Sequence, residues 1–383
     1  MANQLRELAR QGQSVWYDSL RRRTLVSGEL ARYIEEDGLT GLTTNPAIYE
    51  KAIAGSNDYD AELSTLLPRQ DLDAKGIYEQ LAFHDIQAAA DLLRPVYERT
   101  ARRDGYVSLE VSPSVARDSD ASLVEARRLW RALGRENVMI KIPGTKEAFP
   151  AIRQLLSEGV NVNVTLLFSR KAYARVAEAH LAALKDRAAR GEDLSRLASV
   201  ASFFVSRIDS VVDDLLEELC ASGLAQEIQE RAEALRGSVA IANAKLAYQD
   251  WRELTASPEW ARLSTRGARP QRLLWASTST KNPQYRDVKY VEELIGPETV
   301  DTMPPATFEA FRDHGRVRPT LEADVEGARR VMAELADLGI SIDDVTDRLL
   351  ADGLRLFAEP FTKLLDVIEA RREAEAGAGA SAP

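Results

Sequence analysis

Cysteine is nearly absent from this chain: there is one, Cys220, in 383 residues. An internal disulfide is therefore excluded, and a reducing, cytoplasmic setting is expected. Cys220 falls within a helical pattern and reads as a small apolar residue rather than a nucleophile. No apolar run is long enough to span a bilayer, and the opening MANQLRELARQGQ lacks the apolar core of a signal peptide. Positive charge is in deficit, with a formal net charge of −10 that argues against a nucleic acid or an anionic membrane as partner. A small anionic ligand stays compatible, provided a local cluster of donors holds it. No Gly-x-Gly-x-x-Gly follows the first strand pattern, which weighs against an open dinucleotide-type sheet. What remains, 45% hydrophobic and 29% charged residues, is ordinary for a globular protein.

Short apolar segments alternate with longer helical patterns along most of the chain. The segments read as strands are SVWYDS (14–19), GLTTNP (41–46), VSLEVS (107–112), VMIKIP (138–143), VNVNVT (160–165), SVASFFVS (199–206), RLLWAST (272–278) and TVDTMP (299–304). Between them, apolar residues recur at three- and four-residue spacing, as in SLVEARRLWRAL. Eight strands alternating with helices predict a parallel α/β architecture and, by their number, a TIM (β/α)8 barrel. Such a barrel needs about 250 residues, so the surplus is assigned to extra helices. These are an N-terminal helix, an insertion at about 210–268 and C-terminal helices from about Leu321 to Glu373. A single domain over 1–373 follows, with a small, polar tail over 374–383 expected to be disordered. The acidic run Asp213, Asp214, Glu217 and Glu218 reads as a solvated helix face, since no histidine accompanies it at metal-ligand spacing.

Against this background Lys141 is out of place, a charge between Met139, Ile140 and Ile142 in a strand that should be buried. Alternate strand residues point into a barrel, and the C-terminal strand ends carry its active site. Val160, Val162 and Val164 have one parity and suit the helix-covered outside, so Asn161, Asn163 and Thr165 line the interior. By the same split Ser108, Glu110 and Ser112 face inward, Asp18 ends the first strand, and Thr43, Thr44 and Asn45 end the second. Asp18, Asn45, Glu110, Lys141, Asn163 and Thr165 thus converge on one end. A lysine locked in a salt bridge with Glu110 or Asp18 accounts for the strand alone, but not for the amides and hydroxyls around it. Desolvation favours a neutral amine, which attacks a carbonyl carbon, and two carboxylates in different surroundings can divide the acid and base work. The residues point to a Schiff-base enzyme on a barrel, substrate open.

The same segments resemble the transaldolases, in particular their longer, actinobacterial-type branch. GLTTNPAIYEKAI looks like their Thr-Thr-Asn-Pro motif after strand 2. VMIKIPGTKEAFPAIRQLLSEGVNVNVTLLFS resembles their Schiff-base lysine and Asn-x-Thr-Leu-[Leu/Ile]-Phe-Ser segment, and SFFVSRID their phosphate-binding Ser-x-Phe-x-x-Arg. The resemblance implies a class I aldolase-type barrel with Lys141 as the imine-forming residue. Asp18 would be the base at the C4 hydroxyl, Glu110 would act through a water, and Thr165 would position that water. It also implies that Asn45 and Asn163 hold substrate hydroxyls and that Ser202 and Arg207 bind phosphate. No metal or organic cofactor is implied, because the imine is the electron sink. The implied reaction moves a dihydroxyacetone unit from sedoheptulose 7-phosphate to glyceraldehyde 3-phosphate, giving erythrose 4-phosphate and fructose 6-phosphate in the non-oxidative pentose phosphate pathway. Sugar phosphates are then the partners, with neither nucleic acid nor membrane, and the assembly expected is a monomer or homodimer.

One departure stands out. Many transaldolases carry a second phosphate arginine after strand 7, in a Gly-Ala-Ser-Phe-Arg context. Here the stretch is WASTSTKN, and Lys281 lies nearest with one extra residue, either as a substitute point charge or as a surface lysine. Two other readings compete. Fructose 6-phosphate aldolases are similar, but carry glutamine and tyrosine around the catalytic water where this chain has Glu110 and Phe204. A catalytically silent binding barrel would have lost the lysine or a carboxylate, and none is lost.

Overall fold

The pleat of a strand turns a two-residue alternation into two faces, and in this chain those faces become the inside and outside of a cylinder. The computed structural model describes residues 3–221 and 225–380, with side chains as far as residue 375. Eight parallel strands close into a barrel in sequence order: β1 (Gln13–Tyr17), β2 (Gly41–Thr43), β3 (Tyr106–Glu110), β4 (Val138–Pro143), β5 (Val162–Leu167), β6 (Ser199–Phe204), β7 (Arg272–Ala276) and β8 (Thr299–Met303). β8 pairs with β1 over five residues, which seals the sheet. The fold is a TIM (β/α)8 barrel with additional helices, as the strand count predicts.

The extra chain lies in helices. Four of them, Ser206–Ala221, Gln226–Leu235, Val239–Thr255 and Pro258–Ser264, separate β6 from β7. After the barrel come Val325–Asp337 and the long helix Ile342–Ala380, whose backbone continues into the stretch from 374 onward; residues 381–383 lie outside those described. Among the described residues no helix is long and apolar enough to cross a membrane. The acidic face of Ser206–Ala221 corrects one expectation. Asp214, Glu217 and Glu218 are exposed, but Asp213 is buried, accepting hydrogen bonds from the Gly237 amide (2.8 Å) and the Tyr285 hydroxyl (2.7 Å). Its partners come from distant loops, so local periodicity cannot reveal them.

Inside the barrel, strand register does the positioning. Glu110 of β3 pairs with Lys141 of β4, and Lys141 with Asn163 of β5, so three polar residues form one row across adjacent strands. At the other end, Arg272 bonds Ser14 and Asp104 in a buried network, and Trp16 adds a bond to Asp104 (3.1 Å). Gly41 permits this packing: a Cβ there would lie 2.4 Å from the Trp16 ring. Ser112 departs from its expected inward orientation. It lies beyond the end of β3, and its hydroxyl donates to Glu125 on the helix Ser119–Leu133 (2.7 Å).

Asp301 in β8 has the parity opposite to the cavity-lining Thr302, so it faces the helix layer. It is fully buried, accepts one hydrogen bond from Thr278 (3.2 Å), and its Oδ2 has no partner among the described residues. Burial pushes this carboxyl up to about 8. The folded state therefore holds a proton that the unfolded state releases near pH ~4, and stability falls as pH rises across that window. Asp301→Asn should flatten the fall by on the order of a few kcal/mol in urea unfolding between about pH 5 and about pH 9. Parallel curves for the two proteins would refute a protonated Asp301.

Candidate active site

At the C-terminal ends of the strands a cavity of about 130 Å³ opens, lined by Asp18, Asn45, Lys141, Thr165, Ser202, Phe204, Arg207 and Lys281. These are eight of the ten residues singled out from the sequence. The other two sit directly against them. Glu110 Oε2 is 3.2 Å from Lys141 Nζ, and Asn163 accepts from the Ser202 hydroxyl (2.7 Å) while donating to Ser108 (3.1 Å). Asn163 thus fixes the inward-facing hydroxyl of β6 from beneath. A larger depression of about 670 Å³ lies on the outer surface, but none of these residues lines it.

Lys141 is 4% exposed, and its ammonium has few partners for so buried a charge. Nζ donates to the Thr44 carbonyl (3.0 Å), makes the ion pair with Glu110, and lies 5.4 Å from the centre of the Phe357 ring. Glu110 Oε2 meets Lys141 as an ion-pair contact at 3.2 Å, while Nζ also donates to the Thr44 carbonyl. Burial raises the Glu110 carboxyl to about 7 even though Lys141 pulls it down. Asp18 is raised by burial as well, opposed by the Lys141 charge and by the hydroxyl of Thr43, which donates to it at 2.7 Å. Thr43 in turn meets Thr302 of β8 (2.7 Å), so a line of hydroxyls orients the Asp18 carboxylate from the side. Two carboxylates raised above their ordinary range beside a buried amine can take and return protons during a reaction.

The backbone is strained where it serves this cavity. The β5–β6 register shifts between Val164 and Leu167, and Leu166 adopts a left-handed φ of 58°, which re-aims the strand just after Thr165. Thr165 Oγ1 is buried without a hydrogen-bond partner among the described residues. Ser277, at φ 54°, turns the chain sharply after β7 and meets the Ser206 hydroxyl (3.0 Å).

Two cations, Arg207 and Lys281, line the mouth. Arg207 lies in the first turn of the helix Ser206–Ala221, half-buried, 6.0 Å from the Phe204 ring centre and with no carboxylate ion pair among the described residues. Lys281 is exposed at the rim and donates to Ser279 (2.7 Å). Partial desolvation, then the nearby Arg207 charge, lower its ammonium. Its loop is tied to the arginine's helix: Tyr285 donates to Asp213 and Tyr290 to Asp209 (2.9 Å), both carboxylates on Ser206–Ala221. Lys281 is therefore an exposed residue that also lines the cavity.

Thr43, read from the sequence at the end of its strand, lines the cavity, whereas Thr302, Ser277, Ser279, Pro304 and Phe357 are lining residues that sequence reasoning misses. Phe357, on the C-terminal helix Ile342–Ala380, carries no local signal. Among the described residues no cluster of three or more histidine, cysteine, aspartate or glutamate side chains could hold a metal ion.

Fold and site together are those of a (β/α)8 barrel with a buried lysine and two carboxylates gathered at the C-terminal ends of its strands. The family described as Transaldolase/Fructose-6-phosphate aldolase matches residues 15–368, and the chain belongs to it. It is 48% identical over 371 residues to a transaldolase of Trichodesmium erythraeum (strain IMS101), covering 96% of this chain and 97% of the relative. It is 49% identical over 370 residues to transaldolase 2 of Nostoc punctiforme, with coverage of 96% and 97%. A transaldolase of Thermobifida fusca is 44% identical over 367 residues, again covering 96% and 97%.

Proposed function

We infer that this chain is a transaldolase that carries a dihydroxyacetone unit from sedoheptulose 7-phosphate to glyceraldehyde 3-phosphate, in the non-oxidative pentose phosphate pathway. The observation that carries the reading is the buried Lys141, flanked by two carboxylates raised by burial, at the mouth of the barrel. The amine adds to the ketose C2 carbonyl, and water leaves, with Glu110 and Thr165 handling its protons. Asp18 then takes the C4 hydroxyl proton, the C3–C4 bond breaks, and its electron pair passes into the iminium to give an enamine. The aldehyde product departs. The enamine attacks the acceptor's carbonyl carbon, Asp18 returns the proton to the new alkoxide, and hydrolysis frees Lys141. Asn45 and Asn163 hold substrate hydroxyls. The reaction needs no metal or organic cofactor, and a net charge of −10 with one cysteine suits a cytoplasmic, single-domain enzyme, monomeric or homodimeric, without nucleic-acid or membrane partners.

The family's shared name leaves fructose 6-phosphate aldolase as the reading to separate. Phe204 lies in the cavity against Phe168, with ring centres 5.2 Å apart, and a phenyl ring has no proton to give the enamine. With fructose 6-phosphate and erythrose 4-phosphate the enzyme should form sedoheptulose 7-phosphate rapidly. Without acceptor it should release little free dihydroxyacetone. Release at a rate near that of transfer would decide for the aldolase.

Arg207 and Lys281 are assigned to the substrate phosphate, together with Ser202. A hydrogen bond to a charged group contributes roughly 1.5–3 kcal/mol, so each loss should cost about 10- to 150-fold in kcat/KM. Arg207→Ala should show at least that loss with fructose 6-phosphate, since a fork able to make two bonds disappears. Lys281→Ala should fall near the lower end, because its exposed tip is screened. With unphosphorylated fructose both should match the unsubstituted enzyme. Equal losses on both sugars would mean that these cations act on the fold.

A further inference from the structure

The barrel has a second concavity at its opposite end. Tyr106 opens β3, Met139 is the second residue of β4, Val200 is the second of β6, and Arg272 opens β7. Together with the loops that precede these strands they enclose about 230 Å³. The floor is apolar, but the walls carry four arginines, Arg102, Arg103, Arg269 and Arg272, against a single carboxylate, Glu298. In a chain of net charge −10 this is a local inversion of sign.

Partners account for two of the four. Arg103 pairs with Glu298 (2.6 Å), and Arg272 is held by Asp104 (2.9 Å) and Ser14 (2.7 Å). Arg102 and Arg269 are half-buried and have no carboxylate partner among the described residues. Arg269 spends Nη2 on the Ala101 carbonyl, but its Nη1 is buried with no hydrogen-bond partner among the described residues. A desolvated guanidinium N–H without an acceptor is costly, and this one belongs to an arginine that lines the cavity. The rim is strained too: Ala101 (φ 50°), Arg102 (φ 69°) and Glu298 (φ 58°) all hold left-handed conformations without being glycine. Such residues persist where surrounding structure holds them, commonly at ligand clamps.

We propose that this basal cavity binds a small phosphate monoester, at a site separate from the catalytic mouth. Two guanidiniums without carboxylate partners match the charge of a phosphate dianion, and their planar forks match its oxygens. Tyr106, Met139 and Val200 give a short carbon skeleton an apolar floor. The assignment does not depend on the transfer reaction.

Inorganic phosphate is the probe, titrated calorimetrically into an Arg207→Ala/Lys281→Ala double variant of the full chain, in which the mouth is disarmed. One saturable site per chain is expected. Adding Arg269→Ala should weaken it by about tenfold or more, and adding Arg102→Ala should do the same. Glu298→Gln should instead tighten binding, by releasing Arg103. Thermal melts without phosphate separate loss of the site from loss of the fold, and if Arg269→Ala does not fold, Arg102→Ala decides. Absence of saturable binding in the double variant overturns the proposal. So does binding that both arginine substitutions leave unchanged, or acetate binding as tightly as phosphate.

Discussion

Lys141→Met should abolish transfer, lowering kcat by roughly 10⁴-fold or more, because the covalent intermediate forms on its amine, while Lys281, the other lysine lining the cavity, is assigned to the phosphate. Methionine is the informative replacement: it is unbranched and of similar length, and it leaves the packing of β4 intact. Lys141 is 4% exposed, so truncation to alanine would also leave a void. Borohydride reduction in the presence of fructose 6-phosphate should leave a dihydroxyacetone-derived adduct on Lys141 alone, read by peptide mass. The variant should take up none. Removing the ammonium also deprives Glu110 of its neighbour at 3.2 Å. That carboxyl, already raised to about 7 against the pull of Lys141, should then rise further and stay protonated at neutral pH. The variant thus escapes an unpaired buried carboxylate and should remain folded, with a melting temperature near that of the unsubstituted enzyme. An active Lys141→Met protein, or an adduct on another lysine, would sink the imine mechanism.

How much of this site is legible in the amino-acid sequence depends on how local each determinant is. The row Glu110–Lys141–Asn163 is legible because strand parity is a property of neighbouring residues, and parallel pairing of adjacent strands brings like levels together. The barrel is legible from eight short apolar segments separated by helical ones. Strand ends are less so. β1 stops at Tyr17, leaving Asp18 in the following loop, and β5 runs on to Leu167 through a bulge that no residue type announces. Parity gives the side of the strand for Asn161 but not its depth. It bonds the Glu136 and Val138 carbonyls before β5 begins, far down the strand from Thr165. Least legible are contacts that close over long sequence distances. Thr43 meets Thr302 only because β8 returns beside β1, and Phe357 covers Lys141 only because the C-terminal helix folds back over the mouth. Asp213 reads as one more surface acid until the fold brings Gly237 and Tyr285 to it. Polar groups are buried where distant partners satisfy them, and no window along the chain contains both halves.

Asp18→Asn should separate the two halves of the reaction. An amide cannot accept the C4 hydroxyl proton, so carbon–carbon cleavage should slow by about 10²- to 10⁴-fold, the usual range for a lost general base. Imine formation depends on Lys141 and Glu110 and should continue. Borohydride should then trap the intact six-carbon sugar on Lys141 of the variant, where the unsubstituted enzyme yields mainly the three-carbon fragment. The substitution is nearly isosteric, and its amide oxygen can still accept from Thr43, so the hydroxyl line to Thr302 has no reason to collapse. The pH profile gives a second readout. Burial raises the Asp18 carboxyl above its ordinary value, with Lys141 and Thr43 opposing. A base must be deprotonated to act, so transfer by the unsubstituted enzyme should fall as pH drops through that raised value, above the ordinary carboxylate range of ~4. In Asp18→Asn the residual cleavage should lose that acidic limb, while the limb set by Glu110 at about 7 stays in the rate of imine formation. If Asp18→Asn traps the three-carbon fragment as readily as the unsubstituted enzyme does, the proton from C4 leaves by another route, and Asp18 serves only to hold Lys141 in its field.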